Sequence, residues 1–91
     1  MRTQMTTWRK KIGQEMARRC ETFENVVACT LSEAELDVEF DGGYGWPEGT
    51  AFTLWTEKRV YFPAHYDGFE WVESVSRNPD WVPTEHVGGA N

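Results

Sequence analysis

Trp8, Ile12, Met16, Cys20 and Phe23 recur at spacings of four, four, four and three. That period places them on one stripe of an α-helix. The segment from Thr6 to Phe23 is therefore predicted as a helix, with Thr6 or Thr7 as its N-cap. Arg9, Lys10, Gln14 and Arg18 fall off the stripe, and Gly13 lowers helix propensity by about 1 kcal/mol. A helix with one apolar stripe is stable in water only if the stripe lies on another apolar surface. The rest of the chain must supply that surface. With 91 residues in all it is expected to do so within a single domain.

Residues 25–62 are predicted to provide an antiparallel sheet of three to four strands. Asn25–Leu31 is short and rich in β-branched residues, and reads as a strand. Ser32–Glu35 reads as a polar turn. The stretch LDVEFD then alternates: Leu36, Val38 and Phe40 on one face, Asp37, Glu39 and Asp41 on the other. On a strand, residues two apart project from one side about 6.6–6.8 Å apart, so these three acids would form an exposed row. DGGYGWPEGT follows, from Asp41 to Thr50. It is longer than the two to five residues of a tight hairpin loop. AFTLWT gives a strand with Phe52 and Leu54 inward, TEKR a tight turn, and VYF a returning strand that Pro63 stops or places at an edge. Asp67 with Glu70 has the form of a capping box, so residues 67–77 are predicted as a short helix, with a strand over FEWVESV as the competing assignment. Residues 78–91 read as a tail. The expected fold is thus α+β, an N-terminal helix on a small antiparallel sheet with a second short helix.

Charge is distributed unevenly. The net charge is −6, yet residues 1–20 carry six basic side chains against one acidic, and residues 21–91 carry three basic against fourteen acidic. Nine acids and no Lys or Arg lie between Glu21 and Glu57. Such asymmetry points either to neutralisation of a basic helix by an acidic sheet or to a charged partner.

No residue pattern points to catalysis, a metal or a cofactor. Cys20 and Cys29 are too few for a four-ligand zinc site, and His65 and His86 lie far from them without motif spacing. Both thiols are expected reduced, each on the apolar face of its element. His65 with Asp67 has no nucleophile beside it. GGYGWPEG, residues 42–49, lacks the Lys and Ser/Thr of a phosphate loop, and Asp41 and Glu48 would repel an anion. The first residues are basic but no apolar run follows them, and no stretch approaches the about 18 apolar residues of a membrane span. The expectation is a cytoplasmic, non-enzymatic protein, a monomer rather than an oligomer, with no membrane and no direct nucleic-acid contact.

Three functions fit these features. The first is an acidic protein that binds a basic surface of a host protein, such as a nucleic-acid-handling complex, through Asp37, Glu39, Asp41, Tyr44, Trp46 and Glu48. Loop Trp and Tyr are frequent interface anchors, and charge complementarity speeds association and sets specificity. The second is a nucleic-acid-binding accessory protein using Arg9, Lys10, Lys11, Arg18 and Arg19. The third is a small-ligand binder or enzyme using an aromatic cluster at Tyr61, His65 and Tyr66.

In size, in the Glu21–Glu57 acidic run and in the absence of catalytic motifs, the chain resembles the small acidic inhibitors encoded by bacteriophages and mobile elements, the anti-CRISPR proteins among them. The resemblance is one of composition over the whole chain. It implies an inhibitor that mimics nucleic acid and blocks a subunit of a CRISPR effector.

Overall fold

The computed structural model describes residues 5–43 and 48–87. It is α+β. The chain runs β1 (Met5–Thr6), α1 (Trp8–Arg18), a 3-10 turn (Phe23–Asn25), β2 (Val26–Cys29), α2 (Glu33–Leu36), β3 (Phe40–Asp41), β4 (Leu54–Thr56), β5 (Arg59–Tyr66) and β6 (Phe69–Ser76). β2, β4, β5 and β6 form, in that order, a four-stranded antiparallel sheet, and β1 pairs with β3 in a two-stranded one.

Helix α1 begins where Thr7 Oγ1 accepts from the Lys10 amide. It ends sooner than the stripe predicts. The Glu21 amide donates to Met16 O, and Cys20 adopts φ 60, so the chain closes a Schellman-type turn. Cys20 is thereby turned out and exposed, contrary to its expected place on the apolar face, and Phe23 belongs to a separate turn capped by Thr22. Trp8, Ile12 and Met16 do form the buried stripe. They pack with Leu36, Phe40, Phe52, Leu54, Tyr61 and Val72 in one core. Trp8 sits at its end, with ring centroids 4.7 Å from Phe40 and 5.0 Å from Phe52.

The predicted strand over LDVEFD is not formed. Ser32 and Glu35 make a reciprocal capping box that starts α2 instead. Leu36 and Phe40 turn inward, four residues apart, while Val38 is 60% exposed. Only Phe40–Asp41 remains extended, so Asp37, Glu39 and Asp41 do not lie in a row on one strand.

The predicted second helix over 67–77 is also replaced, by β6. Asp67 and Gly68 have φ 52 and 85, the two positive values of a two-residue type I′ hairpin turn. The ladder runs without interruption from Tyr66↔Phe69 to Arg59↔Ser76. Alternation then buries Glu70, Val72 and Ser74 on the helix side. Pro63 does not end β5. The β4 ladder stops at Leu54↔Tyr61, and Pro63 lies beyond it, where β5 has a strand partner on one side only.

Candidate functional site

The site lies where the N-terminal end of α1 meets the connection from β3 to β4. Trp8 organises it. Its indole N–H donates to Thr50 O at 2.8 Å. Gly49 lies so close that a Cβ there would fall 2.4 Å from Trp8 Cζ2 and 2.9 Å from Phe40 Cζ. Only glycine permits that approach of backbone to ring.

The two ends of the Asp41–Thr50 connection are tied together and to the sheet. The amides of Glu48 and Gly49 donate to the two carboxylate oxygens of the buried Glu70, at 2.6 and 2.9 Å. The Glu70 amide donates to Gly42 O at 2.8 Å. Asp41 donates its amide to Glu48 Oε1, and Gly43 donates its own to Asp41 Oδ1. A buried carboxylate with two amide donors meets the demand that every buried charge be hydrogen-bonded. The helix-cap role expected of Glu70 is thus replaced by that of a clamp on the loop.

Between α2 and this loop runs a groove of about 280 Å3. Glu35, Glu39, Asp41 and Glu48 line it, with Trp8 and Phe40 below and the exposed Met5 and Val38 at its rim. Three of the acids expected to meet a partner, Glu39, Asp41 and Glu48, come together here. Glu35 joins them. The sequence reading places it in a turn, although the Ser32–Glu35 spacing carries the signal of a helix start. The Ser32 backbone and hydroxyl bonds hold the Glu35 carboxyl below the usual carboxylate range. Glu39 is exposed, and its side chain has no partner among the described residues.

Asp37 is not part of the groove. Its Oδ1 accepts from Arg9 Nε at 2.7 Å, and Arg9 Nη2 also donates to Glu33 Oε1 at 2.6 Å. These two carboxylates push the Arg9 guanidinium above its ordinary value. Tyr44 and Trp46 lie outside the described residues.

The basic helix is largely committed to the chain itself. Arg18 and Arg19 pair with the buried Glu15, and Arg9 with α2. The cluster at Tyr61, His65 and Tyr66 does not form. Tyr61 and His65 face the helix side of β5, whereas Tyr66 projects from the opposite face. Tyr61 is fully buried, its hydroxyl donating to Glu21 Oε1 at 2.6 Å, and burial pushes its pKa up. Among the described residues no three His, Cys, Asp or Glu side chains come together as metal ligands. No helix among them is long and apolar enough to cross a membrane.

The chain matches no protein-family model, and no curated protein or solved structure is significantly similar to it.

Proposed function

We propose that the protein acts by binding another protein, without chemistry of its own, and that the groove beside Trp8 receives basic side chains from that partner. The observation that carries this reading is the combination of four carboxylates with an apolar floor and rim in one groove. A lysine or arginine has two parts, a charged head and an apolar stem. Glu39 and its neighbours suit the head, while Met5, Val38 and Trp8 suit the stem. The nine acids between Glu21 and Glu57, met by no cation of their own segment, extend the negative field around the groove and favour encounter with a positive surface. A partner that holds nucleic acid offers such a surface. A protein seated on it would keep nucleic acid off, which is the inhibitory role of the proteins this chain resembles in composition.

The test is affinity capture from the native host, repeated with Glu39→Lys and with Asp37→Ala. Glu39 lines the groove and makes no bond within the described residues. Its reversal is expected to weaken capture of the partner by about tenfold or more, since like-charge contacts cost several kcal/mol. Asp37→Ala touches the Arg9 pair outside the groove and should change it by less than about threefold. Raising salt should weaken capture of the unaltered protein. Unchanged capture by folded Glu39→Lys would remove the groove from the interface.

A further inference from the structure

The four-stranded sheet has two faces, and among the described residues a helix lies on only one of them. Trp8, Ile12 and Met16 of α1 pack on the face that carries Leu54, Tyr61 and Val72. The other face carries Trp55, Val60, Phe62, Trp71 and Val75, none of which belongs to that core. Register places them side by side. Trp55 stands opposite Val60, Val60 opposite Val75, Phe62 opposite Glu73, and Ala64 opposite Trp71. They are half-buried, no described helix or strand lies over them, and the tail residues 80–87 share a cavity with Glu73 and Val75 at one end of the face. The Cα envelope is only 19 Å in its thin direction, the depth of a helix layer on one sheet. An antiparallel sheet with one wet face normally alternates apolar inward and polar outward. Here the outward positions are apolar and aromatic across neighbouring strands, which marks an interaction surface.

Charge says what kind of partner fits. Glu73 is the one charged side chain on this face within β4, β5 and β6 between Val60 and Trp71, and it stands among the apolar residues. Its Oε2 accepts from Trp71 Nε1 at 2.7 Å, which holds the carboxylate in place on the face. A second copy would bring another carboxylate and a net charge of −6 to the same surface. A cation is the complement of Glu73. The strands present the same spacing on both faces, and the inner face already receives a helix through residues spaced i, i+4 and i+8. An apolar sheet face must be buried against another element, and a helix is the element that already does so on the inner face.

We propose that this outer face binds an amphipathic helix of a partner protein, with an apolar stripe over Trp55, Phe62 and Trp71 and one lysine or arginine paired with Glu73. The surface lies on the sheet face opposite the α1 stripe, with Trp71 and Glu73 of the edge strand β6 reaching toward Lys10, Lys11 and Arg19, and it shares no residue with the groove, so the two proposals stand or fall separately.

The probes are two synthetic amphipathic helical peptides with the same apolar stripe, one carrying a lysine at its centre and the other a glutamate there. Binding is read from tryptophan fluorescence. The lysine peptide is expected to bind more than about tenfold tighter than the glutamate peptide, from the like-charge penalty. Glu73→Gln should erase most of that difference, and Phe62→Asp, checked for folding by circular dichroism, should abolish binding of both. Glu39→Lys should leave binding unchanged. Failure of both peptides to bind the unaltered folded protein overturns the proposal, as does equal binding of the two. Sedimentation of the unaltered protein as a dimer that Phe62→Asp or Val75→Asp converts to monomer also overturns it, in favour of a second copy.

Discussion

Two glutamates are buried between α1 and the sheet, and they are satisfied in opposite ways. Glu70, near the start of the helix, is held by the backbone amides of Glu48 and Gly49. Glu15, near its end, is held by side chains. Ser74 Oγ donates to Glu15 Oε2 at 2.8 Å, Arg19 Nε donates to the same oxygen at 2.9 Å, and Arg18 Nη1 lies 3.1 Å from Oε1 as an ion pair without hydrogen-bond alignment. Arg59 in turn donates to Ser74 Oγ. The difference lies in what happens when the carboxylate is removed. The Arg18 and Arg19 side chains are 64% and 34% exposed, and can return to water. The amides of Glu48 and Gly49 belong to a loop end pressed against Trp8, and lose the group that fixes its path. A buried charge on flexible cations is a replaceable contact, whereas one on backbone amides is a structural clamp.

The strongest test of that contrast pairs Glu70→Ala with Glu15→Ala. Hydrogen bonds to a charged group contribute about 1.5–3 kcal/mol each. Glu70→Ala loses two and is expected to destabilise by about 3 kcal/mol, measured from urea unfolding midpoints. Glu15→Ala also removes the cost of burying a carboxylate, and its arginines are solvated, so its net effect should be about 1 kcal/mol. Glu70→Ala should also weaken binding at the groove, because Glu48 and Gly49 line it. Equal losses in the two variants would break the distinction.

That contrast was only partly written in the sequence. The stripe Trp8, Ile12, Met16 was legible because helical periodicity is local, and so was the inward pair Phe52 and Leu54. Glu15 lies next to the stripe, and nothing local says that it turns inward. Its partner Ser74 is 59 residues away. Alternation in LDVEFD competed with the Ser32–Glu35 capping box, and the box prevailed: Leu36 reaches the core from the end of α2 and Phe40 from β3. Asp67-Gly68 read as a helix start when it is a hairpin turn, and that choice decided whether Glu70 was a cap or a clamp. Glu39 and Asp41 line the groove without the strand row expected to align them, because α2 and β3 bring them beside Glu48. Asp37 pairs instead with Arg9, 28 residues away, which no local pattern reveals.

A smaller effect concerns pH and belongs to the Glu15 end of the helix. Tyr61 and Thr56 both donate to Glu21 Oε1, just past the end of α1. Burial, and then the bond to Glu21, raise the Tyr61 pKa above its ordinary value. A raised pKa means that the fold favours the protonated phenol. Its contribution is complete below the unfolded value of about 10 and is lost as pH rises above it. Urea unfolding should therefore show stability falling on the alkaline side. Tyr61→Phe should flatten that limb, at a cost near neutral pH of about 1 kcal/mol for the lost hydrogen bond. An alkaline limb as steep in Tyr61→Phe as in the parent would assign it to another group.

The smallest effect has the opposite sign. Cys20 holds φ 60 immediately after Arg18 and Arg19, at the turn that ends α1. A residue with a Cβ is strained in this left-handed region, and glycine is not. The Cys20 side chain is exposed and contributes nothing to the core. Cys20→Gly is therefore expected to raise stability by about 0.5–1 kcal/mol, the balance of relieved strain against the greater freedom of glycine in the unfolded chain. Cys20→Ala keeps the Cβ and should gain nothing. The turn also sets the position of the two arginines over Glu15, so relief there acts at the end of the helix remote from Glu70. The gain should add to the loss in Glu70→Ala, as expected for independent sites. A gain that vanished in the Glu70→Ala background would show the two ends of the helix to be coupled through α1.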